Sequence, residues 1–143
     1  MNSPQEQQAE YILEQSFEAL TRDGVRSFTV DSLSRKLGMS KKTIYKFFPT
    51  KEDLVDKSVG FFLELIEKKL KRLIATEPNP VIQFVKVMEF IMGHVSNISI
   101  ERLADLKSRF PRVWKKMESF RLARRDDFHE ILSKAQKQGF VRE

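Results

Sequence analysis

The chain contains no cysteine, which excludes disulfides, thiolate metal sites and cysteine nucleophiles together. Histidine is nearly as scarce, and His94 and His129 alone are too few for a histidine metal cluster. With only five glycines and five prolines, and β-branched residues rarely alternating with polar ones, an all-α chain is expected. No apolar run reaches bilayer-spanning length, because Glu or Lys interrupts each one. The opening stretch Met1-Asn2-Ser3-Pro4-Gln5-Glu6 lacks the basic and apolar regions of a signal peptide. These absences point to a cytoplasmic location. The last absence is local: from Ser32 to Lys51 there is no acidic residue, while Arg35, Lys36, Lys41, Lys42, Lys46 and Lys51 all stand there.

Across the 143 residues, 26 basic side chains outnumber 20 acidic ones, a net charge of +6, and 41% of residues are hydrophobic. That apolar share supports one domain-sized core or two small helical units sharing a long helix. The charge suits a polyanion partner. A second basic stretch, Arg102 to Arg125, holds nine cations against Asp105 and Glu118. Its plainer reading is the solvated face of two helices, partly paired with acidic neighbours.

Helical periodicity organises the whole chain. A first helix runs from about Gln5 to Arg22, with Ile12, Leu13, Phe17 and Leu20 on one face, and Asp23-Gly24 ends it at a left-handed C′ position. Thr29 caps a second helix, with Asp31 in its first turn and Leu33 and Leu37 as its buried stripe, closed by Gly38. Ser40 caps a short third helix whose inward residues are Ile44 and then Phe47 or Phe48. Small Ser34 lets the two helices approach, and Met39 plugs the turn. Thr50 caps a fourth helix reaching about Ala75, roughly 38 Å long at the helical rise. Pro78-Asn79-Pro80 breaks the chain. The fifth helix, Val81 to Val95, is apolar on most sides and is expected to be buried on most sides. Ser96-Asn97-Ile98-Ser99 reads as a turn, a sixth helix runs to Phe110, and Pro111 starts a seventh that Gly139 ends.

The second and third helices form a helix-turn-helix with apolar residues inside and cations outside, a shape suited to the major groove of DNA. Lys42, Thr43, Tyr45 and Lys46 lie away from Ile44 and are the best candidates to face DNA. Lys41 and Lys36 add diffuse attraction, and Lys51 at the start of the fourth helix is placed to reach a phosphate. Phe84, Met88, Met92, His94, Trp114 and Phe120 are candidates to line a ligand cavity among helices four to seven. Such stripes are individually more often plain core. Asp126-Asp127 are adjacent and so diverge on a helix, and nothing resembles a nucleophile–base pair or metal spacing. The chain is not expected to be an enzyme or to carry a cofactor.

Phe28-Thr29-Val30-Asp31-Ser32-Leu33-Ser34, Leu37-Gly38-Met39-Ser40 and Thr43-Ile44-Tyr45-Lys46-Phe47-Phe48-Pro49-Thr50-Lys51-Glu52-Asp53-Leu54 resemble the DNA-binding region of TetR/AcrR-type transcriptional regulators. Tyr45, Phe48 and Lys51-Glu52-x-Leu54 are its most diagnostic part. Ser34 stands where that family commonly has alanine, and Phe47 where it often has histidine, so a DNA contact by that histidine is lost. The resemblance covers about the first third of the chain closely and the remainder in helix pattern, including Arg109-Phe110-Pro111-x-x-Trp114. It implies a DNA-binding domain over residues 1–50 and a helical regulatory domain over 51–143 that senses a small ligand and dimerises. It also implies a palindromic operator in double-stranded DNA, a small-molecule effector, homodimerisation and a bacterial repressor. Thr29 and Ser40 join the DNA-contacting set, Thr29 donating to phosphate while capping. Family members continue with two further helices that form the dimer interface, and these are expected to be missing after Gly139. The rival reading is a non-catalytic helical ligand-binding or interaction protein with an incidental basic helix.

Overall fold

The computed structural model describes residues 2–96 and 98–142. Met1 of the opening stretch and Asn97 of the expected turn fall outside them. The described residues are all-α: α1 (Pro4–Ser27), α2 (Val30–Leu37), α3 (Lys41–Phe47), α4 (Lys51–Thr76), α5 (Pro80–Val95), α6 (Ile100–Arg109) and α7 (Pro111–Lys137). Among the described residues, no helix is long and apolar enough to cross a membrane. Two compact units result. The first holds the residues up to Phe62 together with Ser99–Lys115, and the second Leu63–Ile98 together with the residues from Lys116 onward.

Local chemistry sets the helix ends. Ser3 caps α1 by accepting from the Glu6 amide, and the Glu6 carboxylate accepts from the Ser3 amide in return, a capping box that the reading from Gln5 onward overlooked. Gly24 takes φ 81 and ψ 167 inside α1, positive as expected but outside the left-handed helical well. Regular helix therefore ends at Asp23, and a further turn carries the chain to Ser27. Thr50, Asn79 and Ser99 cap α4, α5 and α6 through the amides of Asp53, Val81 and Arg102. At the end of α7, Gly139 (φ 79) bonds Gln136 and Phe140 bonds Ala135, the paired pattern of a Schellman ending.

The first unit is built on Ile12, Leu13, Leu20, Val25, Phe28, Val30, Leu33, Ile44, Phe48, Leu54, Val55 and Val59, with Leu106 and Val113 also buried. Phe17 and Phe62 stack there with ring centroids 3.9 Å apart. Arg26 pairs with Asp105 at 3.2 Å and Arg112 with Glu52 at 3.4 Å. In the second unit Ile66, Leu70, Val87, Ile131 and Ala135 are buried, and Phe84 meets Phe128 edge-on at 5.4 Å. Gln83 of α5 donates to the carbonyls of Ile74 and Glu77, satisfying the end of α4. Arg124 is buried against the Phe120 ring, 4.5 Å from its centroid. Its Nε lies 2.9 Å from Asp127 Oδ2 without pointing its N–H at it, so the contact is an ion pair rather than a hydrogen bond.

The expectation for α5 needs correction. Ile82, Val85, Met88, Met92 and Val95 are exposed, Met92 by 53%. Within the second unit α5 meets the end of α4 through Gln83 and α7 through Phe84 and Phe128. A helix that is apolar all round then buries one face, that of Gln83 and Val87, and leaves the opposite one open.

Candidate nucleic-acid interface

Three short-range devices shape the helix-turn-helix. Thr29 accepts the Ser32 amide at 3.1 Å and starts α2. Gly38, at φ 62 and ψ 32, closes α2 in the left-handed region, where its amide bonds Arg35 and that of Met39 bonds Ser34. The Ser34 hydroxyl donates to the Met39 carbonyl across this turn, so serine adds a tether where alanine would only be small. Ser40 then accepts the Thr43 amide at 3.1 Å, and the two hydroxyls lie 2.9 Å apart. Ile44 is fully buried and Phe48 nearly so, which seats α3 firmly. Leu37, expected in the buried stripe, is only half-buried.

Seating Ile44 inward turns Lys42, Tyr45 and Lys46 outward, all three exposed. At spacings of three and four residues they share one helix face. Among the described residues, Lys42 and Lys46 have no ion-pair partner. Two other cations of the acid-free stretch do have one. Lys41 Nζ lies 2.7 Å from Asp31 Oδ1, and Lys36 reaches Glu18 at 4.0 Å. Through that hydrogen bond and its charge, Lys41 lowers the Asp31 pKa and Asp31 raises that of Lys41. The stretch lacks acids, but Asp31 stands one residue before it.

Lys51 departs from its expected place. Its ammonium donates to the Val25 carbonyl at 3.0 Å and sits 5.9 Å from the centre of the Phe28 ring. Burial, and then the charge of Arg109, hold its pKa below the ordinary 10.5. It is an internal tie between the end of α1 and the start of α4, and sequence could not show a backbone carbonyl 26 residues away. Thr29 and Ser40 keep exposed positions while capping, and Thr43 is half-buried.

The six residues expected around a ligand have different surroundings. Met88 and Met92 are exposed, and His94 Nδ1 meets the Phe90 carbonyl at 2.7 Å. Trp114 belongs to the first unit, with Lys107 Nζ 5.7 Å from its ring centre. Phe120 carries Arg124. Only Phe84 lines the cleft that the second unit does contain, about 190 Å³ between Pro80, Val81, Phe84, Ile131, Leu132, Ala135 and Val141. Every side chain in that lining is apolar. Among the described residues, no group of three or more His, Cys, Asp or Glu could hold a metal.

A capped, glycine-turned helix pair presenting a free cationic face defines the class of helix-turn-helix DNA-binding proteins. Residues 12–57 match the model of the bacterial regulatory proteins, tetR family, so this segment is similar to the DNA-binding region of that family. It is 26% identical over 110 residues to the HTH-type transcriptional regulator YvaF of Bacillus subtilis, covering 76% of this chain and 57% of that protein. This chain thus spans little more than half of that relative. A TetR-family regulator from Agrobacterium tumefaciens shares the fold at TM-score 0.79 and 21% identity, over 94% of this chain and 74% of that one. AibR, solved with isovaleryl coenzyme A and operator DNA, does so at TM-score 0.72 and 19% identity, over 94% and 75%.

Proposed function

We propose that the chain is a sequence-specific DNA-binding transcriptional regulator of the ligand-responsive kind, acting as a repressor. The observation that carries this reading is the outward face of Lys42, Tyr45 and Lys46, uncompensated by acids on a helix locked by Ile44. Lysines there have the reach for guanine edges or phosphate oxygens, and the Tyr45 hydroxyl suits the backbone. Thr29, at the start of α2, adds a hydroxyl for a phosphate while it caps. Two copies of the chain would place two such helices about 34 Å apart on a palindrome.

The effector belongs with the apolar cleft, whose lining suits an alkyl or aryl group and offers no side-chain hydrogen bond. The AibR neighbour, bound to an acyl coenzyme A, supports a small-molecule effector of that kind. A ligand preferring a state with another half-site spacing would release DNA.

The test is the double variant Lys42→Ala/Lys46→Ala on a duplex carrying the promoter of the protein's own gene. Binding is expected to weaken, and the slope of log affinity against log salt to become shallower by about 1.8 if both lysines meet phosphate. Unchanged affinity together with an unchanged slope would rule this face out.

A further inference from the structure

We infer that Arg102 is a positioning residue for DNA binding: reaching from α6, it caps the C-terminal end of α1 and locks the hinge from which the helix-turn-helix departs. The inference rests on the DNA-binding reading for its consequence, though not for the cap itself. Gly24 leaves helical φ/ψ inside α1, and at such a break side-chain donors take up carbonyls that the helical ladder does not serve. The Arg102 guanidinium, 81 residues further along the chain, donates to the Thr21 carbonyl. A cation there also meets the negative end of the helix dipole.

Two further contacts show that this arm grips a hinge rather than a random carbonyl. The stem of Arg102 lies against Gly24 itself, its Cγ 3.7 Å from where a β-carbon would stand. One turn along α6, on the same face, Asp105 pairs at 3.2 Å with Arg26. Thr21 precedes the hinge and Arg26 follows it, so α6 holds the chain on both sides of Gly24. The residues just beyond are Val25, Phe28, Val30 and Leu33, all buried, in the region where α2 packs on α1 and α3 in turn on α2. The direction in which Lys42, Tyr45 and Lys46 face is therefore set partly by a side chain outside the helix-turn-helix.

The test compares Arg102→Ala, Arg102→Lys and Asp105→Asn with the wild type, using the full chain and the promoter duplex named above. Affinity is read across salt concentrations, and amide hydrogen exchange is followed from Thr21 to Leu33. Arg102→Ala is expected to weaken binding about tenfold, the scale of a hydrogen bond from a charged donor, with an unchanged salt slope. The Phe28 and Ser32 amides should exchange faster while those of Leu54 and Val55 hold. Arg102→Lys, which keeps a cation at the helix end, should recover part of the loss, and Asp105→Asn should show a milder form of it. A slope shallower by about 0.9 would mean that Arg102 touches phosphate directly and would overturn the inference, as would unchanged exchange near Gly24. If Arg102→Ala fails to fold, the two milder variants decide by the same readouts. If the wild type ignores the duplex, the DNA-binding reading falls, and the exchange pattern alone decides whether the cap exists.

Discussion

At the scale of single residues, backbone and side chain exert separate control over the helix-turn-helix. Gly38 has φ 62, and a β-carbon there would meet nothing within 4 Å. The cost of Gly38→Ala is then the left-handed backbone alone, about 1 kcal/mol, and Gly38→Asn should cost less. Ile44 is the opposite case, with 0% exposure and no backbone peculiarity. Ile44→Ala should remove about 2–5 kcal/mol through lost burial and the cavity left behind. Urea unfolding with an unchanged m-value checks both, and a loss at Gly38 larger than at Ile44 would invert the assignment.

At the scale of elements, α5 separates what a helix's own residues reveal from what its neighbours decide. Helix positions were largely legible, because Thr29, Ser40, Thr50, Gly38 and Pro49 are local signals with local effects. Burial of α5 was not, since an all-apolar helix carries no record of how many partners flank it. The open face leads to a contrast between two positions on one helix. Met92, 53% exposed, should accept lysine at a cost within about 0.5 kcal/mol, whereas Val87→Ala, at 1% exposure, should cost about 1–3 kcal/mol. Thermal melts of the two variants test this, and a large loss for Met92→Lys would mean that the face is covered in solution. The site follows the same rule. Lys42, Tyr45 and Lys46 could be placed from periodicity around Ile44, but the partners of Lys41, Lys51 and Arg102 come from folding.

For the molecule as a whole, the charge pattern makes stability depend on pH in opposite directions at the two ends of the scale. Asp31 is held below its ordinary 3.8 by the Lys41 hydrogen bond and charge, and Asp23 by Arg22. Glu77 lies below 4.5 through Lys86 and the Asn79 amide. Carboxylates depressed in the folded state add stability above their unfolded values and lose it as pH falls through the folded ones. Acid weakening should therefore set in from about pH 4.5 downward, and Asp31→Asn should lessen it. Lys51 behaves in reverse. Burial disfavours its charged form, so below its lowered pKa the folded state carries a penalty that the unfolded chain lacks. That penalty disappears as pH rises through the folded value towards 10.5. Lys51→Met keeps much of the stem against Phe28 but has no proton to lose. Its stability should lack the alkaline rise that the wild type gains just below pH 10.5, a difference read by denaturant titration at stepped pH. If wild type and variant change in parallel over that range, the ammonium is not buried against Val25 in solution, and Lys51 would be free to join Lys42 and Lys46 on DNA.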